Sequence, residues 1–183
     1  MPIDTGLRIE TNYFAELIAN PVAGNMIRTL FVNKGSADKL RARPEGFEKT
    51  KINTLGMLGA GMMGSGITLV SARSGMNVVL LDSTEEQAAK GKQYTEKFLE
   101  KRVKKGKMTT EAAAEVLDRI TVTTDFNDLA ECDLIIEAVF EDREIKADVT
   151  QKTEAVISEE TIFASNTSTL PITGLAESSS RPN

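Results

Sequence analysis

Residues 51–82, KINTLGMLGAGMMGSGITLVSARSGMNVVLLD, leave this chain little freedom in what it can fold into. An apolar run at 52–58 is dense enough for a strand buried on both faces. It breaks at Gly59-Ala60-Gly61-Met62-Met63-Gly64 and continues as a helix-like segment. A second apolar run at 78–81 follows and ends on Asp82. Strand, glycine turn, helix and strand form a βαβ unit, which calls for a parallel sheet.

Each part also has a physical use in holding a dinucleotide. Gly59 permits a tight turn off the strand, and Gly61 lets backbone come close to a pyrophosphate. Gly64 lets the new helix lie against the strand. The free N–H groups and positive dipole end of that helix then face the phosphates. Asp82 stands about 20 residues on, where a carboxylate accepts from a ribose 2′-OH. The plainer reading is a βαβ unit that needs glycine only for close packing. The whole ordered series, rather than the glycines alone, favours the nucleotide. Ser83 and Thr84 follow Asp82 with no Arg nearby, and a carboxylate repels a 2′-phosphate, so NAD is expected over NADP.

The 183 residues suit one domain with an appendage. A net charge of −5 gives no electrostatic case for nucleic acid or an anionic membrane. Cys132 is the only cysteine, which leaves no internal disulfide and no cysteine-rich metal cluster. It precedes a buried run and reads as structural. No apolar run approaches a membrane span, and the N-terminus lacks a signal-peptide pattern. The default compartment is cytoplasmic, or a mitochondrial or peroxisomal matrix if the source is eukaryotic. The chain contains no histidine, the commonest general base.

Ahead of the glycine unit, residues 1–50 read as a helical linker segment. Apolar residues recur at helical spacing through 6–20. Asn20-Pro21 reads as an N-cap with proline at the first helical position, and Gly35 closes that second helix. Residues 34–50 are charged and contain Pro44 and Gly46, as a linker does. The exposed apolar faces would be covered by each other and the main domain, or by a domain outside this chain.

Residues 51–183 carry the rest. Ser83 and Glu86 fit a capping box opening a long helix at 84–105. Its basic end, Lys101-Arg102-Val103-Lys104-Lys105, stops at Gly106. That end is either a solvated helix terminus or a site for a phosphate-bearing substrate. A second helix at 110–117 completes an excursion longer than an ordinary crossover. Strands follow at 120–123, 133–140 and 161–164, with a helix at 145–157. This alternation predicts an α/β fold, a doubly wound parallel sheet covered on both faces. Ligands in such sheets lie beyond the carboxyl ends of the strands, where the glycine turn, Glu141 with Lys146, and residues 166–168 converge.

With these residues in place, the chain resembles the 3-hydroxyacyl-CoA dehydrogenase family. The matching stretches are GAGMMGSGI at 59–67, LLD at 80–82, DLIIEAVFED at 133–142 and IFASNTSTLPI at 162–172. Residues 6–21 more loosely resemble the linker helix of multifunctional fatty acid β-oxidation proteins, which places an enoyl-CoA hydratase domain upstream. The resemblance implies a Rossmann-type fold in which Gly59, Gly61, Met63 and Gly64 meet NAD at the pyrophosphate and Asp82 at the adenine ribose. It implies that Val139, Phe140, Glu141 and Lys146 line the nicotinamide side, and that Ser168 stands between cofactor and acyl-CoA. Lys105 is the weaker candidate for the CoA phosphates. The implied reaction oxidises a 3-hydroxyacyl-CoA to the 3-ketoacyl-CoA, with a His–Glu pair as general base. That pair belongs to a His-Phe-Phe-Asn-Pro stretch absent here. The chain therefore reads as a fragment that binds NAD without turnover, lacking the sixth strand and the C-terminal helical domain. A thiolase subunit is an implied partner. A single-function 3-hydroxybutyryl-CoA dehydrogenase and a non-catalytic NAD-binding module are the alternatives.

Overall fold

The computed structural model describes residues 2–46 and 50–182. Residues 47–49 of the expected linker and the terminal Asn183 lie outside the described residues. The chain divides into two compact units, Met1–Thr50 and Lys51–Asn183.

The first unit is helical. Helix α1 spans Ile3–Ala19 and α2 spans Pro21–Ile27. Asn20 caps α2 by accepting from the Val22 N–H at 2.9 Å, with Pro21 at the first helical position, as the sequence predicts. Gly35 does not close the helix. The backbone runs on through a π-helical segment, Arg28–Asn33, into α3, Lys34–Asp38. The chain turns instead at Leu40, which takes the left-handed φ of 52°. None of the described residues in these helices is buried, and Leu17, Ile18, Leu30 and Phe31 are among their exposed side chains.

The second unit is a five-stranded parallel sheet between helices. Its elements are β1 (Thr54–Leu58), α4 (Met62–Arg73), β2 (Asn77–Leu81), α5 (Glu85–Lys104), α6 (Thr110–Asp118), β3 (Ile120–Thr123), β4 (Leu134–Glu137), α7 (Arg143–Glu154), β5 (Ile162–Ser165) and α8 (Ile172–Ala176). The strand order is β3-β2-β1-β4-β5, with every pair parallel. The chain thus builds outward from β1, then crosses back to build the other way from β4. This reversal puts a crevice between β1 and β4.

Alternation along the strands divides the core in two. Leu55, Met57, Val78 and Leu80 face Leu69, Leu99 and Val116 of α4, α5 and α6. Leu58, Leu81 and Ile135 point the other way, onto Leu129, Cys132 and the α7 side. Cys132 is buried as expected, and burial first, with Asp133 and Glu131 adding, raises its thiol pKa to about 11. The Asp133 carboxylate accepts from the N–H groups of Asn53 and Thr54 at 2.7 and 2.9 Å, fastening the start of β1 beside β4.

The capping pair of α5 lies one residue later than predicted. Thr84 is the N-cap and accepts from the Gln87 N–H at 3.2 Å. Ser83 is unavailable, because its N–H and hydroxyl both donate to Asp82 Oδ1. Gly106 ends this helix in a left-handed turn, φ 63°, as expected. Strand β4 is shorter than the apolar run at 133–140, ending at Glu137. No helix among the described residues is long and apolar enough to cross a membrane.

Candidate functional site

The pairing register brings all five strands to one level at their carboxyl ends. Leu58 pairs with Leu81 and Glu137, Leu81 with Thr123, and Glu137 with Ser165. The residues that follow therefore leave the sheet side by side. Gly59 and Ala138 begin the two loops at the crevice.

Gly59 sits at φ 95°, with its N–H donating to Leu81 O at 2.8 Å. A Cβ there would come within 2.7 Å of Ala138 O, so the turn off β1 lies directly against the loop after β4. Gly64 is packed more tightly still, for a Cβ would stand 1.8 Å from Gly59 O. At Gly61 the opposite holds, with nothing within 4 Å of a Cβ. That is open space at the N-terminus of α4. No side chain caps this helix, whereas α5, α6 and α7 each carry a capping side chain. Its first N–H groups are left for something outside the helix.

Asp82 does more than the sequence reading assigns to it. Oδ2 accepts from the Ala60 N–H at 2.6 Å, and Oδ1 from the Ser83 N–H at 2.6 Å. The carboxylate at the end of β2 thus braces the middle of the glycine turn.

Two adjoining clefts open along this edge. One, about 750 Å³, is bordered by Gly59, Gly61, Asp82 and Gln87. The other, about 560 Å³, is bordered by Met63, Glu141, Lys146 and Ser168. Gly61, Ala138, Val139 and Phe140 belong to both and form the ridge between them. Of the residues singled out in the sequence for the cofactor or substrate, Gly64, Lys105 and, within 166–168, Thr167 line neither. Gly64 is buried beneath the turn, and Lys105 is the exposed C-cap of α5.

In the second cleft Glu141 is tied to the loop after β5. It accepts from the hydroxyls of Thr167 and Thr169 and, at 3.3 Å, from the N–H groups of Ser168 and Thr169. The hydroxyl bonds, Thr167 first, hold its carboxyl down at about 2. A depressed carboxyl contributes stability that is complete above its unfolded value of about 4.5 and is lost as pH falls towards 2. The stability difference between the native chain and Glu141→Gln should therefore shrink from pH 6 to pH 2.5, as measured by urea unfolding. A difference that does not change over that range would contradict these bonds.

Beneath this loop lies a group to which the sequence reading gave no role. Glu137, 1% exposed, ends β4. Its Oε1 accepts from Lys146 Nζ and from the Val139 N–H, each at 2.8 Å, and Oε2 from Ser165 Oγ at 2.7 Å. Lys146 is itself 2% exposed, and its Nζ lies 3.4 Å from Glu141 Oε2. The only signal for this in the sequence is a lone carboxylate inside the apolar run DLIIEAVF, with a lysine in the helix that follows.

A parallel sheet of this order, with a glycine turn and a strand-end carboxylate at its reversal point, defines the Rossmann class of dinucleotide-binding folds. The family model described as "3-hydroxyacyl-CoA dehydrogenase, NAD binding domain" matches residues 54–183, and the chain belongs to that family. It is 47% identical over 127 residues to a probable 3-hydroxybutyryl-CoA dehydrogenase of Deinococcus radiodurans, covering 69% of this chain and 45% of that protein. It is 37% identical over 182 residues to the fatty acid oxidation complex subunit alpha of Psychrobacter arcticus, covering 100% of this chain and 25% of the relative. The crystal structure of (S)-3-hydroxybutyryl-CoA dehydrogenase from Ralstonia eutropha superimposes with a TM-score of 0.69 at 37% identity, over 72% of this chain and 47% of that one. The chain thus spans a quarter to a half of the length of these relatives.

Proposed function

We propose that the chain binds NAD across the two clefts and serves as the cofactor-holding part of an L-3-hydroxyacyl-CoA dehydrogenase of fatty acid oxidation. The observation that carries this is the pair of clefts meeting at Gly61, one bounded by Asp82 and the other by Glu141 and Lys146. The adenine ribose goes to Asp82 and the pyrophosphate to Gly59, Gly61, Met63 and the free N–H groups of α4. The nicotinamide end goes to Val139, Phe140, Glu141 and Lys146, with Ser168 at the acyl-CoA side. Gly64 supports the turn from beneath, and Lys105 with the basic end of α5 is available for CoA phosphates. Bound NAD supplies the hydride acceptor. This chain's residues bind and orient it, and with no histidine among its 183 residues the chain has no such group to take the hydroxyl proton.

A multifunctional parent is supported by the similarity to an alpha subunit that extends over residues 1–50 as well. Those residues are then a linker after a hydratase domain, with a thiolase subunit as partner and the cytoplasm as compartment. The higher identity to a 3-hydroxybutyryl-CoA dehydrogenase favours a single-function parent, but over 127 residues only.

The test is a titration of the chain with NADH, followed by nicotinamide fluorescence, which no tryptophan obscures. Asp82→Asn keeps an acceptor for the Ala60 N–H and removes the charge. Losing a charged hydrogen bond costs about 1.5–3 kcal/mol, so NADH affinity should fall about tenfold or more. The preference for NADH over NADPH should narrow in the same variant. No saturable NADH binding by the folded native chain would refute the reading.

A further inference from the structure

We propose that Glu137 is a positioning residue for the nicotinamide end of the site, acting through Lys146 and the Val139 N–H from beneath the cleft. The inference rests on the reading that the cleft bounded by Glu141 and Lys146 receives the nicotinamide half of the cofactor.

Beside the start of α4, three separate segments border that cleft: the loop after β4, the first turns of α7, and the loop after β5. Glu137 holds all three. Its Oε1 takes the Val139 N–H, where β4 gives way to its loop, and the Lys146 ammonium on α7. Its Oε2 takes the Ser165 hydroxyl at the end of β5. Glu137 lines neither cleft at this edge, so it touches no part of a ligand there.

A buried carboxylate is costly unless paired, and this one is paired with a buried ammonium. The consequence for Lys146 is geometric. Lysine is a flexible point charge with three donors. One donor is spent on Glu137, while Glu141 stands 3.4 Å away. The ammonium is thereby fixed at the cleft wall with a donor to spare for a ligand. Without Glu137 the same ammonium has only Glu141 to hold it and swings towards solvent, and Val139 loses the acceptor that shapes the ridge between the clefts.

The experiment compares NADH with ADP-ribose, which lacks the nicotinamide ring, on the native chain and on Glu137→Gln. Glutamine keeps an acceptor for Val139 but removes the charge that holds Lys146. Affinity for NADH should fall about tenfold, the loss of one charged hydrogen bond, while ADP-ribose binding stays within about twofold. The emission shift of bound NADH should also move towards that of the free cofactor. A role confined to stability would weaken both ligands by the same factor, and that result would overturn the proposal, as would unchanged binding of both. If Glu137→Gln does not fold by circular dichroism, Ser165→Ala decides. It removes one of the three anchors, together with the acceptor of the Thr167 N–H, and leaves the ion pair intact; it should lower the NADH to ADP-ribose affinity ratio about threefold, roughly half the value of a charged bond. An unchanged ratio would again overturn the proposal. If the native chain binds neither ligand, the nucleotide reading itself fails. If the native chain binds both and only the variant ratio is unchanged, the assignment of Glu137 alone fails.

Discussion

Lys146→Met should lower the unfolding free energy of the chain by about 3–5 kcal/mol, the usual cost of stripping one partner from a buried ion pair. The side chains of Glu137 and Lys146 are each 2% exposed and 2.8 Å apart. Methionine fills much of the lysine volume, so the loss comes from the carboxylate left inside rather than from a cavity. Urea unfolding followed by far-ultraviolet circular dichroism measures it. Glu137→Gln combined with Lys146→Met should recover part of the loss, since no unpaired charge then remains. The recovery is incomplete, because Val139 and Ser165 also use that carboxylate. A single variant as stable as the native chain would mean that the pair is solvated in solution.

Gly64→Ala is expected to be the most damaging small substitution in the nucleotide unit. Its Cβ would fall 1.8 Å from the carbonyl oxygen of Gly59, a backbone atom with no rotamer to yield. Gly59 is itself committed, held at φ 95° with its N–H on Leu81 O. Either α4 retreats from β1 or the turn deforms. Overpacking of this kind costs about 1–3 kcal/mol, and the upper end is expected here. NADH binding should be lost together with stability. Gly61→Ala is the contrasting variant, with φ −65° and nothing within 4 Å of a Cβ. It should fold like the native chain yet bind NADH more weakly, because its methyl group enters the cleft. Equal thermal stability for the two variants would contradict this packing.

The comparison of these glycines shows where sequence reading reaches and where it stops. The strands were legible because each is a short apolar run, and so was a doubly wound parallel sheet, but the order β3-β2-β1-β4-β5 comes from the structure alone, since crossover handedness does not fix where the winding reverses. Gly59, Gly61 and Asp82 were legible because their spacing along the chain matches their proximity in space. The bond from the Ala60 N–H to Asp82 was not, since it depends on how the loop after β2 lies against the turn. Glu137 was hidden for a different reason. Periodicity reads a carboxylate inside an apolar strand as an interruption, and its meaning comes only from Lys146 and Ser165, which other elements deliver. The cap at Thr84 depends on a neighbour that takes Ser83, whereas the helix stop at Leu40 carries no glycine or proline to mark it. Gly35 stayed helical, and Ser83 was already engaged by Asp82.

The clasp between Asp82 and the glycine turn also has a kinetic meaning. The loop that would receive the pyrophosphate is already bent and braced by the chain's own hydrogen bonds. Little ordering entropy remains to be lost on encounter, so association selects a shape that exists beforehand. Discrimination between nucleotides is then expected in dissociation rates rather than in association rates.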